Sequence, residues 1–120
     1  MVDMLTVYSY ENCGTCKKAL KWLAAHEIEI KVVPIVDQPP SPKVLSTILK
    51  ETELPVRKLF NTSGQLYRSG GYKEKLSQMS DKEAIAELAS HGKLIKRPII
   101  VGDGVYLVGF KEADYEHALL

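Results

Sequence analysis

The stretch Leu5-Thr6-Val7-Tyr8-Ser9-Tyr10, followed by Glu11-Asn12 and then by Cys13-Gly14-Thr15-Cys16-Lys17-Lys18-Ala19-Leu20-Lys21-Trp22-Leu23, decides how this chain is read. The first six residues are a short β-branched and aromatic run, which predicts a strand. Glu11-Asn12 breaks it. Beyond Cys13, Cys16, Ala19, Leu20 and Leu23 recur at helical spacing, so an amphipathic helix begins near Cys13 and ends near Ala25-His26. Residues 29–36 read as a second strand, and Pro34 marks it as an edge strand or as bulged there. A helix between two such strands predicts a right-handed βαβ unit with the strands parallel.

Downstream, the punctuation is clear. Ser41 is an N-cap candidate with Pro42 at the first helical position, and Val44, Leu45, Ile48 and Leu49 supply an apolar face. A short helix is expected over residues 55–60, ended by Asn61-Thr62-Ser63-Gly64, and Gly70-Gly71 reads as a flexible joint. Ser80-Asp81-Lys82-Glu83 fits a capping box. Ala84, Ile85, Leu88 and Ala89 form the buried stripe that follows, and Gly92 stands where a C′ glycine belongs. Ile99-Ile100-Val101, the turn Gly102-Asp103-Gly104 and Val105-Tyr106-Leu107-Val108-Gly109 predict an antiparallel hairpin. A last helix is expected over residues 111–118. The order is that of a thioredoxin-like α/β fold: a mixed four-stranded sheet, with a helical insertion at about residues 38–94 of a single domain spanning 1–120.

Composition narrows the function. The chain has 120 residues, 16 Lys+Arg against 15 Asp+Glu, and a net charge of +1. It therefore lacks the basic footprint of direct nucleic-acid binding. No apolar run approaches the length of a membrane span, and Met1-Val2-Asp3-Met4 does not open a signal peptide. A cytoplasmic setting is expected.

The two cysteines, Cys13 and Cys16, sit in one Cys-Gly-Thr-Cys block. A bridge between them closes too small a loop to staple the fold. A structural zinc site wants four ligands, and His26, His91 and His117 are far apart with no matching spacing, so no metal is expected. Two small buried inert thiols are the plain alternative. The chemical reading starts from position. At a strand-to-helix junction, free amides and the helix dipole favour a thiolate at Cys13. A thiol of pKa about 8.5 is about 3% ionised at pH 7, whereas one brought to about 6 is about 90% ionised. Cys16 lies one helical turn on, where its sulfur can reach Cys13 and resolve a mixed disulfide or sulfenic acid. Gly14 lets a bound group approach the backbone, and Lys17 and Lys18 add positive field or are simply solvated. Arg97, before Pro98, can hold an oxyanion or the thiolate itself, or serve as a surface ion pair. The Arg97-Pro98 bond can be cis. Arg57 and Arg68 are weaker candidates.

The Cys13–Cys16 block, Gln38-Pro39-Pro40-Ser41, Val56-Arg57-Lys58-Leu59-Phe60-Asn61-Thr62-Ser63-Gly64, Ile95-Lys96-Arg97-Pro98-Ile99-Ile100-Val101 and Val108-Gly109-Phe110-Lys111 together resemble the arsenate reductase (ArsC) family, which also contains the Spx transcriptional regulators. The resemblance covers nearly the whole chain and implies a thioredoxin-like core with an inserted helical subdomain. It implies a nucleophile at Cys13 and an oxyanion-holding Arg97 beside a cis Pro98. Gly14, Thr15, Lys17, Asn61 and Pro98 would line the substrate. Of the three arginines such reductases use, only Arg97 carries over; Asn61 and Gly109 stand where the others are expected. The reductases lack a counterpart of Cys16, which the Spx regulators have. The implied substrate is a small oxyanion or a disulfide. No bound cofactor is expected, and glutathione, glutaredoxin or thioredoxin is the external reductant that the resemblance implies. The alternative partner, implied by the Spx resemblance, is the RNA polymerase α subunit.

Overall fold

Leu5–Ser9 form β1, with Leu5, Val7 and Ser9 buried and Thr6 and Tyr8 half-buried between them, the alternation of a strand with one face on a core. In the computed structural model, which describes residues 4–120, β1 is followed by helix α1 (Gly14–Ala25) and strand β2 (Ile30–Pro34). The hairpin β3 (Ile99–Gly102) and β4 (Val105–Val108) and helix α6 (Glu112–Leu119) come at the end of the chain. The sheet order is β2-β1-β3-β4; β1 and β2 are parallel, and both remaining pairs are antiparallel. This is the mixed four-stranded sheet expected from the sequence. β2 is an edge strand that begins later and ends earlier than residues 29–36, closing on Pro34 opposite Ser9. Proline cannot donate to a ladder, so an edge position suits it. The β3–β4 turn is Asp103-Gly104, with φ of 49° and 76°. Positive φ at both central residues is the type I′ geometry that matches strand twist.

Two compact units divide the chain: one runs up to Pro34 and resumes at Arg97, the other is Ile35–Lys96. The first unit holds the sheet, α1 and α6. Its core joins Leu5 and Val7 of β1, Ala19, Trp22 and Leu23 of α1, Ile100, Leu107 and Tyr115. Trp22 meets the Tyr115 ring edge to face at 5.4 Å, and Phe110 meets it likewise at 4.8 Å. The expected apolar face of α1 is present and one residue wider: Cys16, Ala19 and Leu23 are buried, half-buried Leu20 packs against the same core, and buried Trp22, in edge contact with Tyr115, joins them.

The second unit contains α2 (Pro42–Thr52), α3 (Gln65–Ser69), α4 (Tyr72–Lys75) and α5 (Asp81–Ser90). Ser41 caps α2 and Ser80 caps α5 within a full capping box, as the sequence predicts. Residues 55–60 contain the 3-10 turn Val56–Leu59. α3 and α4 are additions to the expected order; at five and four residues they are too short to leave a periodic signature. Gly71 separates them with φ of 69°, and Phe60, Tyr67 and Tyr72 pack their rings at 6.0–6.2 Å. Gly92 is corrected as well. It is not a left-handed cap, since α5 ends on extended His91; glycine is required because a Cβ would run into the backbone carbonyl of Ile35. Among the described residues, no helix is long and apolar enough to cross a membrane.

Candidate thiol active site

Strand register brings the site together. Tyr8 of β1 lies opposite Ile99 of β3, so the chain leaving β1 toward Cys13 runs beside the chain entering β3 from Arg97-Pro98. The Arg97-Pro98 peptide is cis, and Pro98 is buried. The Pro98 carbonyl accepts the Gly109 amide at 2.8 Å, and the Gly109 carbonyl accepts the Tyr115 hydroxyl at 2.7 Å. Gly109 has φ of 76°, a conformation glycine adopts without strain. Helix α6 is thereby tied to the loop that carries Arg97.

Cys13 is the N-cap of α1. Its backbone is extended, its amide is held by the Tyr10 carbonyl at 3.0 Å, and its carbonyl accepts the Lys17 amide at 3.1 Å. Its half-buried sulfur accepts the Cys16 backbone amide at 3.3 Å. That is a helix cap built with sulfur, aimed at amides that have no partner within the helix. Both cysteines are free thiols, and Cys16 is buried. The two environments push the thiols apart. Burial raises Cys13, but the Cys16 thiol and amide and the hydrogen bonding and charge of Arg97 outweigh it and hold Cys13 below the ordinary thiol value. The Cys16 amide makes the aligned backbone bond to the sulfur at 3.3 Å, and the Arg97 side chain adds to it through hydrogen bonding and charge. Cys16 is raised, first by burial and then by the adjacent Cys13 sulfur, against weaker lowering from the Tyr10 backbone and the Ser9 hydroxyl. Burial and the neighbouring Cys16 also push the Tyr115 hydroxyl up, which keeps it a donor. The pair is thus an easily ionised outer thiol beside a buried protonated one, the division of labour expected of attacking and resolving sulfurs.

The other expected residues fall as follows. Gly14 and Thr15 open α1 on the exposed side, and the space beside Gly14 is clear of other atoms to 4 Å. Lys17 and Lys18 are exposed, and neither is among the groups that shift Cys13. Asn61 belongs to the Ile35–Lys96 unit, where its amide donates to the Leu94 carbonyl at 2.7 Å and its carbonyl accepts the Gly64 amide at 3.0 Å. Two residues escaped the sequence reading. Tyr10 reads as the end of a strand, yet β1 stops at Ser9 and the Tyr10 ring lies under Arg97, 4.8 Å from ring centroid to guanidinium carbon. Ser9 reads as a plain strand residue, yet it is a buried polar side chain near Cys16. An aromatic three residues before a cysteine at a strand-to-helix junction was the available signal for Tyr10.

The ArsC family model matches residues 8–118. The chain belongs to the ArsC family. It is 47% identical over 112 residues to the uncharacterized protein YusI of Bacillus subtilis, covering 93% of this chain and 95% of that one. It is 28% identical over 116 residues to the global transcriptional regulator Spx of Enterococcus faecalis, covering 97% and 86%. Among solved structures, an ArsC-family-related protein of Bacteroides fragilis superimposes with a TM-score of 0.92 at 40% identity, covering 98% and 99% of the two chains. Arsenate reductase of Vibrio cholerae superimposes with a TM-score of 0.78 at 26% identity, covering 99% and 98%. The resemblance read from the sequence and the thioredoxin-like fold both stand.

Proposed function

We propose that this ArsC-family chain is a thiol-dependent oxidoreductase in which Cys13 is the nucleophile, Cys16 the resolving thiol and Arg97 the stabilising cation. The observation that carries this reading is the Cys13 sulfur seated on the first turn of α1, 3.3 Å from the Cys16 amide and beside the Arg97 guanidinium. With a disulfide substrate, the Cys13 thiolate attacks one sulfur; an S–S bond forms to Cys13, and the other substrate sulfur leaves as a thiolate and takes a proton. Cys16 then loses its proton and attacks the Cys13 sulfur, releasing the second substrate thiol and leaving a Cys13–Cys16 disulfide. Two electrons from an external dithiol (thioredoxin or glutaredoxin) or from two glutathiones restore both thiols. With arsenate, Cys13 displaces water from As(V). Attack of Cys16 or of an external thiol on the Cys13 sulfur leaves the electron pair on arsenic, which departs as arsenite. A single carried-over arginine favours the disulfide over the divalent oxyanion, since each charge-assisted contact contributes roughly 1.5–3 kcal/mol. A reducing cytoplasmic compartment suits this cycle.

The test is a coupled assay with a small disulfide or arsenate as acceptor and glutathione with glutaredoxin, or thioredoxin, as donor. Turnover above Cys13→Ser is expected with the disulfide. No turnover with either acceptor sinks the enzymatic reading. A reduction potential near about −270 mV fits a reductase, and a markedly more oxidising one fits a sensor. The Cys-x-x-Cys pair, together with 28% identity to Spx, favours one second reading: a redox-switched regulator bound to the RNA polymerase α subunit. Pull-down of the α C-terminal domain with oxidised and with reduced protein separates the two, and absence of binding in both states removes the regulator.

A further inference from the structure

We infer that Tyr10 is a positioning residue of the thiol site: its ring carries the Arg97 guanidinium and keeps it facing the Cys13 sulfur. The inference deepens the thiol reading above and rests on it. Tyr10 touches both partners. Its carbonyl accepts the Cys13 amide at 3.0 Å, which fixes the approach of the chain to the helix cap, and its half-buried ring lies 4.8 Å from the guanidinium carbon. Arginine has a long, flexible stem whose rotamer freedom must be reduced before the guanidinium can hold one place. A guanidinium laid on an aromatic face spends its face on the ring and leaves its in-plane N–H groups free at the edge. A guanidinium held over the ring at this distance is ordered by it, and a ring face takes up the cation's charge without supplying a competing acceptor oxygen. The groups acting on that sulfur are the Cys16 thiol and amide from α1 and Arg97 from the cis-proline loop; Tyr10 works through the last of these.

The experiment is the rate of iodoacetamide alkylation of Cys13 against pH in the full chain, resolved from Cys16 by peptide mass. Tyr10→Leu removes the aromatic face and Tyr10→Phe keeps it. The expected loss of the docked cation is roughly two- to fivefold, the scale of a cation–π contact near a surface. This moves the Cys13 inflection up by roughly 0.3–0.7 pH units in Tyr10→Leu. Tyr10→Phe retains the wild-type inflection, and Tyr10→Leu adds nothing in an Arg97→Met background. An unmoved inflection in Tyr10→Leu, or an equal shift with and without Arg97, overturns the inference. Should Tyr10→Leu fail to fold by thermal melting, Tyr10→Met is read the same way. A wild-type inflection at or above the ordinary thiol value, about 8.5, would instead sink the thiol reading itself, so the two failures are distinguishable.

Discussion

Helix α5 starts on Ser80, whose hydroxyl accepts the Glu83 amide at 3.1 Å, and helix α1 starts on Cys13, whose sulfur accepts the Cys16 amide at 3.3 Å. The two caps share a geometry and differ in what surrounds them. Around Ser80 the positive helix end is met by Asp81 and Glu83. The Glu83 carboxylate accepts the Ser80 amide at 3.1 Å, and its pKa is lowered by its bonds to Ser80. The first turn of α1 carries no acid at all. The field that steadies a carboxylate in α5 is left for the sulfur in α1, and Arg97 adds to it. One local motif thus caps both helices, and under the proposed thiol chemistry it serves reactivity at α1.

Exchanging the cap atoms breaks this comparison most severely. Cys13→Ser gives α1 an oxygen cap like that of α5, and thiol turnover should fall to the level without enzyme. Because the cap survives, urea denaturation should shift by less than about 1 kcal/mol. Ser80→Ala is the converse. It should cost about 1 kcal/mol of stability, within roughly 0.5–2, by urea denaturation, while the alkylation inflection of Cys13 stays in place. A smaller effect comes from giving α1 the acid it lacks. Gly14→Asp meets clear space, and a carboxylate in the first turn competes with the sulfur for the helix end. With helix-end charge interactions of roughly 0.3–1 kcal/mol, the Cys13 inflection should rise by roughly 0.2–0.7 pH units.

Stability carries the matching sign. Cys13 is lower in the folded chain than in the unfolded one. The advantage of reduced wild type over Cys13→Ser is therefore complete above the ordinary thiol range, near pH 8.5. It shrinks as pH falls through the lowered folded value. Cys16, which is raised, acts in the opposite sense: its contribution is present below the ordinary range and is lost as pH rises. Denaturation of the two proteins across that interval measures the difference.

The parts of the molecule legible in the sequence are those governed by local rules. Ser41, Ser80 and the Asp103-Gly104 turn announce themselves because capping and positive φ demand particular residues. Cys13 at a strand-to-helix junction is of the same kind. What escaped depends on contacts distant in sequence or on elements too short for a period. Trp22 meets Tyr115, the Gly92 requirement comes from Ile35, and Tyr10 meets Arg97 only once β1 and β3 are paired. α3 and α4 lack the length for a repeating apolar stripe.

The central claim is that the sulfur of Cys13 rests as an anion on the helix start and beside Arg97, and the pH dependence of its alkylation, followed in wild type and in Arg97→Met, addresses it most directly. The account predicts a wild-type inflection below about 8.5 that moves upward when the guanidinium is removed. An inflection at or above that value in wild type, unchanged in Arg97→Met, would contradict it.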